Sequence, residues 1–195
     1  VIHGFDNREG KIWFNGKLVE WNDSKIHVLN HGLHYASSVF EGERAYNGKI
    51  FKSEEHTQRF FEGAQTMDME IPFTKSEIMK AKNELIISNG LKEAYVRPIA
   101  WRGSEMMAVS AQKTTINVAI ATWEWPSYFD PSEKMKGIKL DIAKWKRPDP
   151  NCAPVHVKAS GLYMICTLSK HDAEAKGYSD ALMLDWRDLI AEATG

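Results

Sequence analysis

The sequence predicts an α+β fold, and three observations lead to that prediction. Asn-Gly dipeptides at residues 15–16 and 47–48 each stand between strand-like stretches, a pattern typical of two-residue hairpin turns. Two segments with apolar residues at helical spacing follow the second hairpin. Two more strand-like stretches come next, so the first part of the chain has the order β-β-α-α-β-β, which is typical of an α+β domain.

The hairpins and helices can be bounded from local signals. We expect the first hairpin to pair residues 12–14 with residues 17–21 and the second to pair residues 40–46 with residues 49–51. Ser53 is then predicted to cap a helix that runs to about residue 69.

The second helix has a clear beginning and end. Thr74-Lys75-Ser76-Glu77 has the spacing of a capping box, and Asn89-Gly90 is a typical helix end. Strands over residues 94–101 and 115–122 complete the first predicted domain, residues 1–123.

Proline and glycine interrupt residues 124–137, which we interpret as an interdomain linker. Residues 138–195 form the second predicted domain. Ile138, Leu140 and Ile142 alternate with polar residues there and predict a half-buried strand. A helix over residues 159–176 and a further hairpin are expected to follow.

The composition excludes several classes of protein. With 43% hydrophobic and 26% charged residues, the chain is expected to fold. Its 25 Lys and Arg balance 26 Asp and Glu, so neither nucleic acid nor a membrane surface is predicted as a partner. No apolar run approaches the roughly 20 residues of a membrane helix, and the N-terminus lacks the pattern of a signal peptide. We therefore expect a cytoplasmic protein.

Lys158 is the first candidate for chemistry. It stands among apolar and small residues, just before a predicted helix. An amine in such surroundings loses solvation of its charged form and becomes a usable nucleophile. Tyr163 is expected to face the same site, where its phenol would bond a ligand oxygen. The pattern alone equally fits an ordinary lysine at a helix start and a core tyrosine.

Other candidates are charged or polar residues for which a ligand role and a structural role both stay open. Glu192 is the one acid in an apolar strand-like run and needs a partner if it is buried. Arg59 has the guanidinium that binds phosphate with two parallel hydrogen bonds. Tyr95 and Arg97 share a strand face and could hold a carboxylate. His31-Gly32-Leu33-His34 has no acidic or cysteine companion, so no metal site is predicted.

Five short motifs occur along the chain in a fixed order. They are His34-Tyr35-Ala36-Ser37-Ser38-Val39-Phe40-Glu41-Gly42, His56-Thr57-Gln58-Arg59, Ala94-Tyr95-Val96-Arg97-Pro98, Lys158 with Tyr163, and Ala191-Glu192-Ala193-Thr194-Gly195. In order and spacing the chain resembles the branched-chain amino acid aminotransferases, which are class IV, fold-type IV enzymes dependent on pyridoxal 5′-phosphate. The resemblance implies a small N-terminal α/β sandwich-like domain and the beginning of a larger cofactor-binding domain. Because the family continues well beyond Gly195, we expect the second domain to be incomplete here.

The resemblance also implies a role for each matching residue. Lys158 matches the lysine that forms the Schiff base with the cofactor and then moves a proton. Glu192 matches the acid that pairs with the pyridine nitrogen, Tyr163 the phenol bonded to the cofactor's 3-oxygen, and Arg59 a phosphate ligand. The implied substrate pocket comprises Tyr35, Phe40, Gly42, Tyr95, Arg97, Trp125 and Tyr128.

The implied reaction is reversible amino transfer between L-leucine, L-isoleucine or L-valine and 2-oxoglutarate. The family works as homodimers, so a homodimer or higher homo-oligomer is expected. Two alternatives stay open from the sequence: another fold-type IV enzyme, such as a D-amino acid aminotransferase or an aminodeoxychorismate lyase, and a catalytically inactive fragment or binding module. One residue departs from the pattern, because Glu43 stands where bacterial members carry an apolar residue.

Overall fold

A computed structural model describes residues 4–125 and 135–195. The chain divides into two units, Val1–Pro126 and Ser127–Gly195. Within the described ranges, the strands of the N-terminal unit are β1 (Lys11–Phe14), β2 (Lys17–Glu20), β3 (Ser38–Phe40), β4 (Glu43–Tyr46), β5 (Lys49–Ile50), β6 (Ala94–Arg102) and β7 (Ile116–Glu124). Its helices are α1 (His31–His34), α2 (Ser53–Thr66) and α3 (Lys75–Ser88).

The strands of the N-terminal unit form one antiparallel sheet in the order β2-β1-β7-β6-β4-β5, with β3 also paired to β6. Helix α3 packs against β1 and β7, and α2 packs against β3. Alternate residues of β6, from Ala94 to Ala100, are buried, as expected for a sheet with one face against helices. The predicted α+β fold is confirmed for this unit.

The predicted turns and the second helix are confirmed in detail. Asn15 and Gly16 have φ of 46° and 90°, the left-handed values that an Asn-Gly hairpin turn requires. Thr74 Oγ1 accepts from the Glu77 backbone N–H, and the Thr74 N–H donates to Glu77 Oε2 over 2.7 Å. The capping box therefore forms as predicted.

The predicted cap at Ser53 is wrong, because Ser53 is itself the first residue of the helix. Lys52 adopts a left-handed conformation with φ of 54° and is the N-cap. Its carbonyl already accepts from the His56 N–H over 3.0 Å, so Ser53 lies inside the first turn and cannot cap it.

The predicted strand over residues 40–46 is interrupted. Its register against β6 continues from β3 into β4, but Glu41 and Gly42 lie between the two strands. The Glu41 N–H donates to the Pro98 carbonyl over 3.0 Å. Pro98 has no N–H with which to return the bond, and this missing donor explains the break.

The C-terminal unit contains β8 (Leu140–Ile142), α4 (Tyr163–Ala175), β9 (Asp180–Leu184) and β10 (Ile190–Ala193). A 3₁₀ turn over Ser160–Leu162 precedes α4. β8 pairs with β9 in parallel and β10 pairs with β9 antiparallel, which confirms the predicted terminal hairpin. Helix α4 packs on β8 and β9 over a core of Ala143, Cys166, Ala173, Ala181 and Met183.

The predicted burial of Ile138, Leu140 and Ile142 is wrong, since all three are exposed. β8 forms, but its register places Ile142 opposite Leu182. Helix α4 covers the other face of the sheet, the one that carries the core residues Ala181 and Met183. None of the helices in the described ranges is long and apolar enough to cross a lipid bilayer.

Candidate active site

Lys158 and Tyr163 lie side by side in the C-terminal unit. The 3₁₀ turn before α4 brings Tyr163, the first residue of the helix, back toward Lys158. Lys158 Nζ donates to the Tyr163 hydroxyl over 2.7 Å and lies 5.3 Å from the centroid of its ring. The flanking residues Val157 and Ala159 are buried, so the backbone at Lys158 is held in the core while its side chain stays partly accessible.

Glu192, on β10, has an arginine as its partner. Its carboxylate is 3.2 Å from Arg147 Nε, and the Glu192 side chain is 57% exposed. The Arg147 side chain is only 13% exposed, and its Nη1 lies 3.8 Å from Cys166 Sγ on α4. Arg147 thus joins Glu192 to the helix that begins with Tyr163. Arg147 cannot be recognised from the sequence, since nothing in its local pattern distinguishes it from a surface arginine.

A second group of predicted residues meets on the sheet of the N-terminal unit. Arg97 Nη2 donates to the Tyr95 hydroxyl over 3.0 Å, as their shared strand face predicts. The Arg97 guanidinium also lies over the Phe40 ring, 4.5 Å from its centroid. Trp125 completes the cluster with its ring centroid 5.0 Å from that of Tyr95.

Gly42 fits this cluster because it has no side chain. A Cβ atom at Gly42 would lie 2.0 Å from the Tyr95 hydroxyl oxygen, far inside contact distance. Tyr95 cannot easily yield, since its ring also stacks on Trp123 at 4.8 Å between centroids. Trp123 was not singled out from the sequence, although its place on β7 opposite Tyr95 makes it part of the same wall.

The remaining predicted pocket residues lie elsewhere or cannot be placed. Tyr35 follows α1 and stacks on His31 with ring centroids 4.5 Å apart. Tyr128 lies outside the described residues. Arg97 also borders an apolar cleft of about 350 Å³ on the same face of the sheet, whose wall includes Ile99 and Trp101.

Arg59, on α2, is paired with a carboxylate that is completely buried. Its Nη2 donates to Glu41 Oε2 over 2.7 Å and its Nε donates to Glu41 Oε1. His56 Nδ1 lies 2.8 Å from Glu41 Oε2. Burial alone would raise the pKa of Glu41, but the hydrogen bonds from Arg59 and His56 outweigh it and the pKa is lowered. Glu41 is therefore held as a carboxylate.

Glu43 and Lys82 form a second ion pair close to the first. Glu43 Oε1 is 2.5 Å from Lys82 Nζ, and neither side chain is exposed. The Lys82 ammonium also donates to Thr57 Oγ1 over 2.8 Å. Burial raises the pKa of Glu43 and lowers that of Lys82, and their mutual attraction offsets only part of each shift. Glu43 thus has a partner on α3, and the sequence alone does not reveal this pairing because the two residues are 39 positions apart.

No group of three or more metal-ligating side chains occurs in residues 4–125 and 135–195. The C-terminal unit has the amine of Lys158 beside the phenol of Tyr163. The N-terminal unit has the arginine–aromatic cluster around Arg97 and the pair of Arg59 with the buried Glu41. Within the N-terminal unit, the two arginines are suited to binding anionic groups.

Comparison with known proteins identifies the family. Residues 38–195 match the family described as amino-transferase class IV. A protein of Rickettsia typhi named probable branched-chain-amino-acid aminotransferase is 42% identical over 183 residues. That match covers 94% of this chain and 62% of the relative, so the chain spans a little under two thirds of the relative's length.

Solved structures agree with this result. The branched-chain amino acid aminotransferase of Escherichia coli has a TM-score of 0.88 at 34% identity, covering 96% of this chain and 62% of that one. Another branched-chain amino acid aminotransferase, solved with pyridoxamine 5′-phosphate, has a TM-score of 0.92 at 38% identity. That match covers 96% of this chain and 63% of the other. That second enzyme has also been solved in complex with N-(5′-phosphopyridoxyl)-L-glutamate. The predicted fold-type IV architecture is confirmed. Because the family matches residues 38–195, which is most of the sequence, this chain belongs to the class IV aminotransferases.

Proposed function

We propose that this chain belongs to a branched-chain amino acid aminotransferase, which transfers the amino group of L-leucine, L-isoleucine or L-valine to 2-oxoglutarate. One observation carries the proposal: in a chain of this family, the amine of Lys158 lies 2.7 Å from the phenol of Tyr163. The names of the similar proteins support the branched-chain activity over a D-amino acid aminotransferase or an aminodeoxychorismate lyase.

The groups present fit pyridoxal phosphate as the cofactor. An accessible amine beside a phenol suits its aldehyde and its neighbouring ring oxygen, and a carboxylate held by an arginine suits its ring nitrogen. The solved relatives with pyridoxamine phosphate and a phosphopyridoxyl-glutamate support the same cofactor. We propose Lys158, Tyr163, Glu192 and Arg59 as the residues that hold it.

When bound, pyridoxal phosphate supplies an electron-accepting ring that stabilises the charge left when a Cα–H bond breaks. The Lys158 amine is proposed to hold the cofactor and later to move a proton to and from the substrate Cα. The Tyr163 hydroxyl orients that amine through their hydrogen bond. The Arg147 guanidinium holds the Glu192 carboxylate through an ion pair of 3.2 Å, and this carboxylate is proposed to face the ring nitrogen of the cofactor.

The arginine–aromatic cluster is the proposed substrate site. Phe40, Tyr95 and Trp125 supply apolar ring surface for a branched side chain. Arg97 supplies a cation for a carboxylate of the acidic co-substrate. Gly42 lets the Tyr95 hydroxyl lie against its backbone, because any side chain there would collide with the phenol. Tyr35 and Tyr128 are proposed as further pocket residues on the family resemblance alone.

A cytoplasmic location and a homodimeric or higher assembly are also part of the proposal. The assembly follows from the family resemblance, and the location follows from the composition of the sequence. The balanced charge of the chain, with 25 basic and 26 acidic residues, is compatible with a cytoplasmic enzyme that acts on small molecules.

Borohydride reduction of the product of the complete gene, saturated with pyridoxal phosphate, tests the covalent site. Peptide mass mapping should find the pyridoxyl group on Lys158 and not on the buried Lys82. The Lys158→Ala variant should carry no such group and should not transaminate leucine. A pyridoxyl group on another lysine, or turnover by the alanine variant, would refute the assignment.

A substrate screen separates the proposed reaction from its alternatives. Purified protein should form glutamate from 2-oxoglutarate with L-leucine, L-isoleucine and L-valine, and little with D-alanine. Release of pyruvate from aminodeoxychorismate without an amino acceptor would instead indicate the lyase. Specific labelling of Lys158 without any turnover would indicate a cofactor-binding protein that is catalytically inactive.

A further inference from the structure

Glu41 connects two motifs that have separate roles in the proposed function. It lies in the break between β3 and β4, next to Gly42 of the proposed substrate site. Its carboxylate binds Arg59, the proposed phosphate ligand, on α2. The side chain of Glu41 has no exposed surface, whereas that of Arg59 is 53% exposed. One end of the Arg59 guanidinium is therefore anchored in the protein interior.

The anchoring has a defined geometry. The two Glu41 oxygens accept from Nε and Nη2 of Arg59, a parallel pair of hydrogen bonds that fixes the plane of the guanidinium. His56, one turn earlier on α2, lies 2.8 Å from Glu41 Oε2 and steadies the carboxylate from a second side. The Gly42 N–H donates to the same oxygen over 3.3 Å. These contacts hold the Arg59 guanidinium in a defined orientation relative to Glu41.

The position of Glu41 beside the sheet limits where its carboxylate can lie. Its backbone N–H is bonded to Pro98 of the central strand β6, and its side chain projects toward α2. Arginine side chains lose considerable rotamer freedom when they bind a ligand. A guanidinium that is already fixed loses less, and its affinity for the ligand is correspondingly higher.

We propose that Glu41 is a positioning residue that fixes the Arg59 guanidinium for the phosphate group of the cofactor. This inference rests on the proposed function, because it takes Arg59 as the phosphate ligand. It does not make Glu41 a catalytic residue, since Glu41 acts only through Arg59.

Electrostatics and positioning predict opposite results when Glu41 loses its charge. A carboxylate behind Arg59 partly neutralises the guanidinium, so its removal should strengthen the attraction for an anion. If Glu41 acts by positioning, its removal should weaken phosphate binding, because the guanidinium becomes mobile. The sign of the change therefore distinguishes the two effects.

The chain offers a matched control two residues away. Glu43 is equally buried and is also ion-paired, but its partner is Lys82. A Glu43→Gln variant changes a buried carboxyl group at the start of β4 and leaves Glu41 and His56, the residues that contact Arg59, in place. It thus reports what general damage to this region does to cofactor binding.

The experiment compares pyridoxal 5′-phosphate with pyridoxal, which lacks the phosphate group. Each is bound to the cofactor-free product of the complete gene, and absorbance titration gives the two dissociation constants. Glu41→Gln should lower the preference for the phosphorylated form about tenfold and leave the affinity for pyridoxal within about twofold. Glu43→Gln should leave the preference unchanged.

Glu41→Asp provides a second variant if Glu41→Gln does not fold. It keeps the charge, but the shorter side chain cannot reach both nitrogens of Arg59, so the preference for the phosphorylated form should again fall. An unchanged or increased preference in the Glu41 variants would overturn the proposal, as would an equal loss in Glu43→Gln. If wild-type protein binds neither compound on Lys158, the proposed function fails first and this inference fails with it.

Discussion

The Lys158 ammonium and the Tyr163 phenol are joined by a hydrogen bond of 2.7 Å, formed across a single 3₁₀ turn at the start of α4. This short connection means that neither side chain can move far without the other. In the proposed enzyme, Tyr163 therefore controls both the orientation of the amine and the environment of the ring oxygen beside it.

We predict that Tyr163→Phe still takes up pyridoxal phosphate on Lys158 but lowers kcat for leucine about tenfold or more, because the amine loses its orienting partner. The absorbance maximum of the bound cofactor should also shift. Steady-state kinetics and absorbance spectra provide the measurements. Tyr178→Phe, which changes a more exposed tyrosine of the same unit, is the control and should alter neither.

Gly42→Ala should specifically damage the substrate site. The added methyl group would lie 2.0 Å from the Tyr95 hydroxyl oxygen, so the phenol must move and lose its bond to Arg97. Displacements of this size cost up to about 100-fold in enzyme rates. We expect KM for leucine to rise about tenfold or more with unchanged affinity for pyridoxal phosphate. Equal losses in both quantities would indicate general misfolding instead.

Local chemistry explains which features could be predicted from the sequence. The Asn-Gly turns and the Thr74–Glu77 capping box depend on residues within a few positions of each other, and both formed as predicted. The proximity of Lys158 and Tyr163 is predictable for the same reason. The lysine, the phenol and the motif order then sufficed to identify the family.

Features that depend on the pairing of distant segments could not be predicted. Arg147 reaches Glu192 only because its segment runs beside β9, next to the terminal hairpin. Lys82 becomes the partner of Glu43 only when α3 packs on the sheet. The exposed side of β8 follows from which face α4 covers, and alternation of apolar residues cannot specify that choice.

The stability of the folded protein at acidic pH should depend on the ionisation of Glu41. Hydrogen bonds from Arg59 and His56 hold its pKa below the ordinary value of 4.5, so the folded state binds a proton less readily than the unfolded chain. The stabilisation from Glu41 is therefore present above pH 4.5 and is lost as the pH falls through the lowered pKa. Urea unfolding at several pH values should show that the difference in the free energy of unfolding between wild type and Glu41→Gln becomes smaller toward low pH. A difference that grows toward low pH would contradict a lowered pKa for Glu41.

The stability of the fold should depend on whether Glu43 and Lys82 are changed singly or together. Neither side chain is exposed, so Glu43→Leu or Lys82→Met alone leaves an uncompensated buried charge, which typically costs about 3–5 kcal/mol. The double variant replaces both charges with apolar groups, and its free energy of unfolding should return to within about 1–2 kcal/mol of wild type. Urea unfolding of the four proteins gives the coupling energy between the two sites.

Lys80 and Glu84 provide the matched control for that cycle, because they form an exposed pair on the same helix, 3.6 Å apart. Their coupling energy should not exceed about 0.5 kcal/mol. A large coupling for Glu43 and Lys82 would mean that an apolar residue at position 43 is compatible with this fold once position 82 changes with it. If the free energy of unfolding of the double variant instead falls by the sum of the two single decreases, the two charges act independently and burial of each has another cause.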